Sequence, residues 1–403
     1  MASSTKVEFT LLASEWGSKR GGLSTFNRVL AIELAKHSKV HVSVLVPRCD
    51  QEEMNDARSK NVTLAQPKRR PGLDEKNWLC FPPDDLQIDV VIGHGVVLGS
   101  QAQIIQENRR CKWIQFVHTD PEELGMFKDY SDRIQKGEQK HQTEVELCAM
   151  ADFVVAVGPK LAEAYRSYLR SHGKDQRVFD LTPGIFEEFS GVEQASQDGD
   201  KCRVLAFGRG DAEDFKLKGY DIAPKAVGQL QDAILIFVGA ANKQQDGVAD
   251  NLQQCGIPRE RLRVRTFLES REKLGELFRE VDVAIMPSRT EGFGLVALEA
   301  LSASLPILVS ANSGFGKALA NVPFASGCVI KSDEPKEWAE GIKGVWAKNR
   351  KLRLKESDAL RTGYKEEYSW EKQCNNLVDL VTAIVAGMHL NLKKMIRGLN
   401  VEG

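Results

Sequence analysis

Residues 281–301 constrain this chain more than any other stretch. Residues 281–286 (VDVAIM) form an apolar run of strand length. Residues 287–294 are a polar loop with two glycines, and 295–301 repeat apolar residues as a helix does. Strand, glycine loop and helix leave unpaired backbone N–H groups at the helix start, where an anion can sit. Gly292 and Gly294 let the chain turn tightly and let a ligand approach the backbone. Glu291 lies in the loop, and Glu299 falls just over a turn inside the helix. One carboxylate is expected to meet a ligand at the loop and the other a different part of it. Acidic residues also suit the positive end of a helix dipole with no ligand at all. Spacing alone leaves both readings open.

The same unit recurs along the chain. Residues 7–14 (VEFTLLAS) read as a strand and 15–22 (EWGSKRGG) as a loop. A helix follows over 23–36, with Phe26, Val29, Leu30 and Leu34 at helical spacing. Residues 40–47, 89–93, 113–117 and 152–157 read as further strands, and His94 and His118 stand directly after two of them. The second half repeats the alternation, with strands at 203–207, 233–239, 262–267 and 305–310. Such alternation implies parallel sheets covered by helices on both faces. A chain of 403 residues exceeds one compact core. The polar stretch 187–201 (EEFSGVEQASQDGDK) reads as a linker. The expected division is 1–186, linker 187–201, 202–362, and a closing segment 363–403 with a long amphipathic helix over 368–386.

Composition narrows the function. Hydrophobic residues make up 42% and charged residues 28%, as in globular proteins. A net charge of −1 carries no basic excess, so no nucleic-acid partner is expected. Eight scattered cysteines without a C-x-x-C pair argue against a zinc site or a disulfide framework and for reduced thiols in the cytoplasm. The first residues (MASSTKVEFTLLASEWG) lack a signal-peptide pattern, and no apolar run reaches membrane-span length. The tail from Leu390, with NLKKMIRGLN over 391–400, is basic and amphipathic; helix end is the favoured reading, and peripheral membrane contact or partner contact stays open. Residues 48–76 are highly charged, and their basic cluster 68–70 reads as solvated surface, with contact to phosphate or acidic lipid as the alternative. In 208–213 (GRGDAE), Glu213 occupies the third small-residue position of a dinucleotide fingerprint, which argues against a dehydrogenase.

The string 288–301 (SRTEGFGLVALEAL) resembles the sugar-nucleotide signature of the family-4 retaining glycosyltransferases, which have the GT-B fold. The resemblance implies an α/β chain of two Rossmann-like parallel-sheet domains facing across a cleft. It implies that Glu291 contacts donor-sugar hydroxyls, that Glu299 holds the donor ribose, and that Gly292, Phe293, Gly294 and Leu295 offer backbone N–H groups. Gly21, Gly22 and Leu23 resemble the family's GGL loop, placing Gly22 beside the donor phosphates and the acceptor, with Lys19 and Arg20 adding charge. FVHTDPEELG (116–125) resembles the strand-then-His segment in which the His lines the donor–acceptor cleft, giving His118; His94 resembles a related Gly-His position. FGR followed by LKGYDIA resembles the pair whose Arg and Lys neutralise the diphosphate, giving Arg209 and Lys218. DAEDF (211–215) lengthens that spacing, so Lys216 stands as an alternative to Lys218. Leu268 and Glu269 would lie beside the nucleobase, and Thr182 and Pro183 precede Gly184 where the family has an Asn.

The expected catalytic set is therefore His118, Arg209, Lys218 and Glu291. No DxD motif stands at a typical metal position, so fixed cations are expected to replace Mg²⁺, with no cofactor and a nucleotide sugar as co-substrate. The implied reaction moves a sugar to an acceptor with retention of configuration. The alternative from another class is a catalytically silent GT-B module that binds nucleotide or glycan. A sugar-nucleotide epimerase is disfavoured by the EGFG…E string. The sequence leaves open the donor base, the sugar, the acceptor and the oligomeric state.

Overall fold

Near-continuous apolar and β-branched runs make strands buried on both faces. The described residues hold thirteen strands, fully buried ones such as Val90–His94 and Phe153–Val157 and partly exposed ones such as Leu262–Thr266. The computed structural model describes residues 6–18, 21–127, 133–195, 197–208, 210, 212–268 and 270–387. The first sheet holds β1 (Val7–Leu12), β2 (Val40–Leu45), β3 (Val62–Ala65), β4 (Val90–His94), β5 (Lys112–Val117), β6 (Phe153–Val157) and β7 (Val178–Leu181). The second holds β8 (Cys202–Phe207), β9 (Ala233–Ala240), β10 (Leu262–Thr266), β11 (Val283–Met286), β12 (Ile307–Ser310) and β13 (Val329–Ile330). Every pairing is parallel, with β1 in register with β2 from Val7↔Val40 to Leu12↔Leu45 and β11 with β8 from Val283↔Val204.

The strand orders are β3-β2-β1-β4-β5-β6-β7 and β10-β9-β8-β11-β12-β13. Each order reverses once, between β1 and β4 and between β8 and β11. At such a reversal the loops leaving neighbouring strands diverge, and the crevice at the strands' carboxyl ends takes ligand. The fold thus nominates four loops before any side chain is considered.

The chain divides into two units, Met1–Asp120 with Gln139–Pro183 and Ser369–Gly403, and Pro121–Glu138 with Gly184–Tyr368. In the first unit Leu12, Val91, Leu98, Ile105, Trp113 and Leu147 share one core. Its first helix, Gly22–Ala35, packs against the last, Trp370–Val385, with Phe26 and Trp370 rings 5.8 Å apart. In the second unit Val204, Leu235, Phe237, Val283, Leu308, Trp338 and Ile342 form the core. At the start of β8, buried Asp282 accepts from Arg203 Nε at 3.1 Å and pairs with Arg350, while Arg353, which pairs with Asp198, stands 3.8 Å away.

Two stretches differ from the sequence reading in a useful way. The charged stretch after β2 contains the helix Gln51–Ser59, started by a reciprocal cap between Asp50 and Glu53, and then β3. Its basic cluster 68–70 is exposed, as expected, with Arg69 over Trp78 and Arg70 over Phe81 at 5.5 and 4.9 Å. Within the polar stretch 187–201, Glu187–Phe189 forms a 3₁₀ turn that buries Phe189 edge-on against Phe278. All eight cysteines are free thiols. Among the described residues no helix is long and apolar enough to cross a membrane.

Candidate active site

The loop after β11 reaches the helix Leu295–Ser302 through Gly294, whose φ of 104° suits glycine. The loop is pinned on both sides. Toward β12, Glu291 N–H donates to the Asn312 carbonyl at 3.3 Å and Phe315 N–H to Phe293 at 2.8 Å. Toward β8, Arg289 N–H donates to Leu217 at 2.9 Å, and its guanidinium grips the Lys216 carbonyl and both oxygens of Asp221. Gly219 completes the junction: a side chain there would strike the Pro287 carbonyl oxygen at 2.0 Å. The two loops at the β8–β11 reversal are therefore locked together.

That locking brings Lys218 Nζ to 2.5 Å from Glu291 Oε2. Lys216 is exposed and is held there by its carbonyl, so Lys218 is the lysine at the loop. Among the described residues the N–H groups of Gly292, Phe293 and Gly294 find no hydrogen-bond partner. A helix start with free N–H groups beside a cation is a ready seat for phosphate or a polarised hydroxyl. One helical turn on, Glu299 is 5% exposed and accepts from Arg271 Nη1 at 2.6 Å. Burial lifts its carboxyl above the ordinary range, and the Arg271 charge opposes that rise without reversing it. Arg271 also donates to Glu188 and rests over Phe189 and Phe186, 4.5 and 5.6 Å from the ring centres.

The first unit carries its own polar group at the β1–β4 reversal. Gly21, with φ 110°, opens the helix Gly22–Ala35, and Gly22 is its exposed first residue. Asn27 on that helix donates from Nδ2 to the Leu12 carbonyl at 2.9 Å and faces His94 Nε2 with Oδ1 at 3.0 Å. His94 closes β4 and is 1% exposed. Its Nδ1 lies 2.9 Å from Nε2 of His118, the half-buried residue after β5. Burial holds His94 well below its usual pKa and brings His118 down to about 3, so both rings are neutral.

The structure thus joins Lys218, Glu291 and Gly292–Leu295 at one reversal, with Glu299 one turn along the same helix. Gly22 stands at the start of the first helix and His118 in the first unit's histidine pair. Leu268 is half-buried just after β10. Arg209, Glu269, Lys19, Arg20 and the tail from Leu390 lie outside the described residues. Sequence reasoning missed Arg271, Arg289, Asp221 and Asn27. Arg289 sits inside the motif string, but only its contacts across 68 residues to Asp221 give it a task. Asn27 has a weak signal: a polar residue between the apolar positions Phe26 and Leu30 on a buried helix face.

A family model described as family 4 glycosyltransferase in conflict systems matches residues 10–377. The D-inositol 3-phosphate glycosyltransferase of Corynebacterium urealyticum is 25% identical over 322 residues, covering 74% of this chain and 72% of that one. Its counterpart in Mycolicibacterium gilvum is 33% identical over 137 residues, 32% of this chain and 30% of that one. Among solved structures, sucrose-phosphate synthase of Thermosynechococcus elongatus superposes with a TM-score of 0.73 at 18% identity, covering 95% of this chain and all of that one (100%). HepE of Anabaena, in complex with UDP-glucose, gives a TM-score of 0.66 at 13% identity, covering 93% and 99%. These structures share the fold, two parallel-sheet domains of the GT-B kind. With a match running through both sheets and both loop pairs, the chain belongs to the family-4 glycosyltransferases of conflict systems.

Proposed function

We propose that the chain moves a sugar from a nucleoside diphosphate sugar to an acceptor hydroxyl with retention of configuration. The observation that carries this reading is Lys218 held against Glu291 beside the free N–H groups that open the Leu295–Ser302 helix. As the glycosidic bond breaks, negative charge grows on the leaving diphosphate. A fixed lysine and a helix start stabilise that charge more than they stabilise the bound donor, which is what lowers a barrier. Arg209 is the second cation of this reading. Glu291 exchanges its lysine for sugar hydroxyls, and Glu299 shares its carboxylate between Arg271 and the ribose. Gly292–Leu295 offer N–H groups to the sugar, Leu268 lies beside the base, and His118 and Gly22 border the acceptor.

No protein nucleophile is invoked. The acceptor oxygen attacks from the face the leaving phosphate occupies, the glycosidic bond breaks, and a phosphate oxygen takes the acceptor's proton. The protein contributes position and charge. HepE with UDP-glucose, and a UDP-forming trehalose-phosphate synthase of Burkholderia xenovorans with glucose-6-phosphate, support nucleotide-sugar chemistry of this kind on the shared fold.

The test is release of free nucleotide from UDP-, GDP- and ADP-sugars without acceptor, followed by mass spectrometry, with and without EDTA. One donor should be hydrolysed slowly, EDTA should not matter, and Lys218→Ala and Arg209→Ala should each lose the activity. Product anomer, read by proton NMR, should match the donor. An inverted product, or hydrolysis untouched by both substitutions, would overturn the reading.

A further inference from the structure

Asn27, His94 and His118 form one line of hydrogen bonds whose direction is set from one end. The Leu12 carbonyl can only accept, so the Asn27 atom 2.9 Å from it is the amide nitrogen. Asn27 therefore turns its oxygen to His94 Nε2, 3.0 Å away, and that nitrogen must carry hydrogen. His94 is neutral in its buried position, so its Nδ1 is bare and can only accept. The 2.9 Å contact then requires an N–H on His118 Nε2. His118 is neutral too, which leaves its Nδ1 with a lone pair and no hydrogen. Among the described residues Nδ1 has no partner. The ring cannot swivel freely, since Phe26 meets it edge-on at 5.1 Å and Phe116 stacks at 6.4 Å.

We infer that Asn27 and His94 are positioning residues that lock His118 as its Nε2–H tautomer, so that Nδ1 accepts a hydrogen bond from the attacking hydroxyl. The ring assignment stands on the chain's own hydrogen bonds; the hydroxyl rests on the transferase reading above. A ring this hard to protonate orients an O–H without taking its proton, which leaves the proton for the departing phosphate. With the line broken at Asn27, His94 can turn its N–H toward His118. His118 then presents N–H where a lone pair is needed, and the hydroxyl oxygen is turned or repelled.

Two-bond ¹H–¹⁵N spectra of the histidine rings test this directly, with the His118 signals assigned by their loss in His118→Gln. The wild-type ring should be protonated on Nε2 and bare on Nδ1 at neutral pH. Asn27→Leu and His94→Leu should shift it toward Nδ1–H. His94→Gln should keep the wild-type pattern, because its amide donates to Asn27 and its carbonyl accepts from His118. In acceptor-free hydrolysis, where water supplies the attacking hydroxyl, both Leu variants should lower kcat on the order of 10- to 100-fold with KM for the donor unchanged. His94→Gln should recover most of that loss. A wild-type His118 protonated on Nδ1, or Leu variants that raise KM and leave kcat alone, would overturn the proposal. Whether or not the wild-type chain hydrolyses a donor, the spectra decide the ring assignment, so its failure is distinct from failure of the transferase reading.

Discussion

Glu144 shows how much a single buried group can set. It is 3% exposed, its Oε1 has no hydrogen-bond partner, and burial raises its pKa from 4.5 to about 8. Between those values the folded chain keeps a proton that the unfolded chain has released, so stability falls as pH rises through that window. Urea unfolding at a series of pH values should show this decline, and Glu144→Gln should flatten it. His94 and His118 act with the opposite sign, because their folded pKa values are depressed. They stay neutral while the unfolded chain takes up protons, so stability is lost as pH falls below their ordinary 6.5. At the proposed donor site the two glutamates should part ways. Glu299→Ala should weaken nucleotide binding by about 1–3 kcal/mol in calorimetry, the cost of a lost charged hydrogen bond. Glu291→Ala should mainly slow hydrolysis. Equal, negligible effects from both would remove the site assignment.

At the scale of elements, the second unit is tied together by charge as well as by apolar packing. Asp282 precedes β11, Arg203 lies on β8, and Arg350 and Arg353 lie on the helix Arg350–Glu367. Removing the carboxylate leaves buried guanidinium groups without their counter-charge. Asp282→Ala should therefore cost about 3–5 kcal/mol by chemical denaturation. Most strands were legible, because apolar runs such as AILIFVG and DFVVAV fit little else. The helix Gln51–Ser59 was not read, although Asp50 and Glu53 spell its cap. Only Ala57 is buried there, so the apolar periodicity that announces other helices is missing.

At the scale of the whole molecule, each sheet has its own core and its own strand reversal. A ligand that binds only the folded second unit should stabilise that unit. At a hundredfold excess over Kd the gain is about 2.7 kcal/mol, readable as a rise in Tm with the nucleotide of the correct base. No rise with any nucleoside diphosphate would count against the donor site. The sequence by itself determined the alternating α/β plan, the family, and the residues of the EGFG string, because periodicity and motif spacing are local properties of a chain. Tertiary structure alone decided that Lys218 rather than Lys216 meets Glu291, that Arg271 occupies Glu299, and that Asn27 governs the histidine pair. Each of those facts joins residues 28 to 73 positions apart, and only the closing of strands into sheets brings such groups within a hydrogen bond of one another.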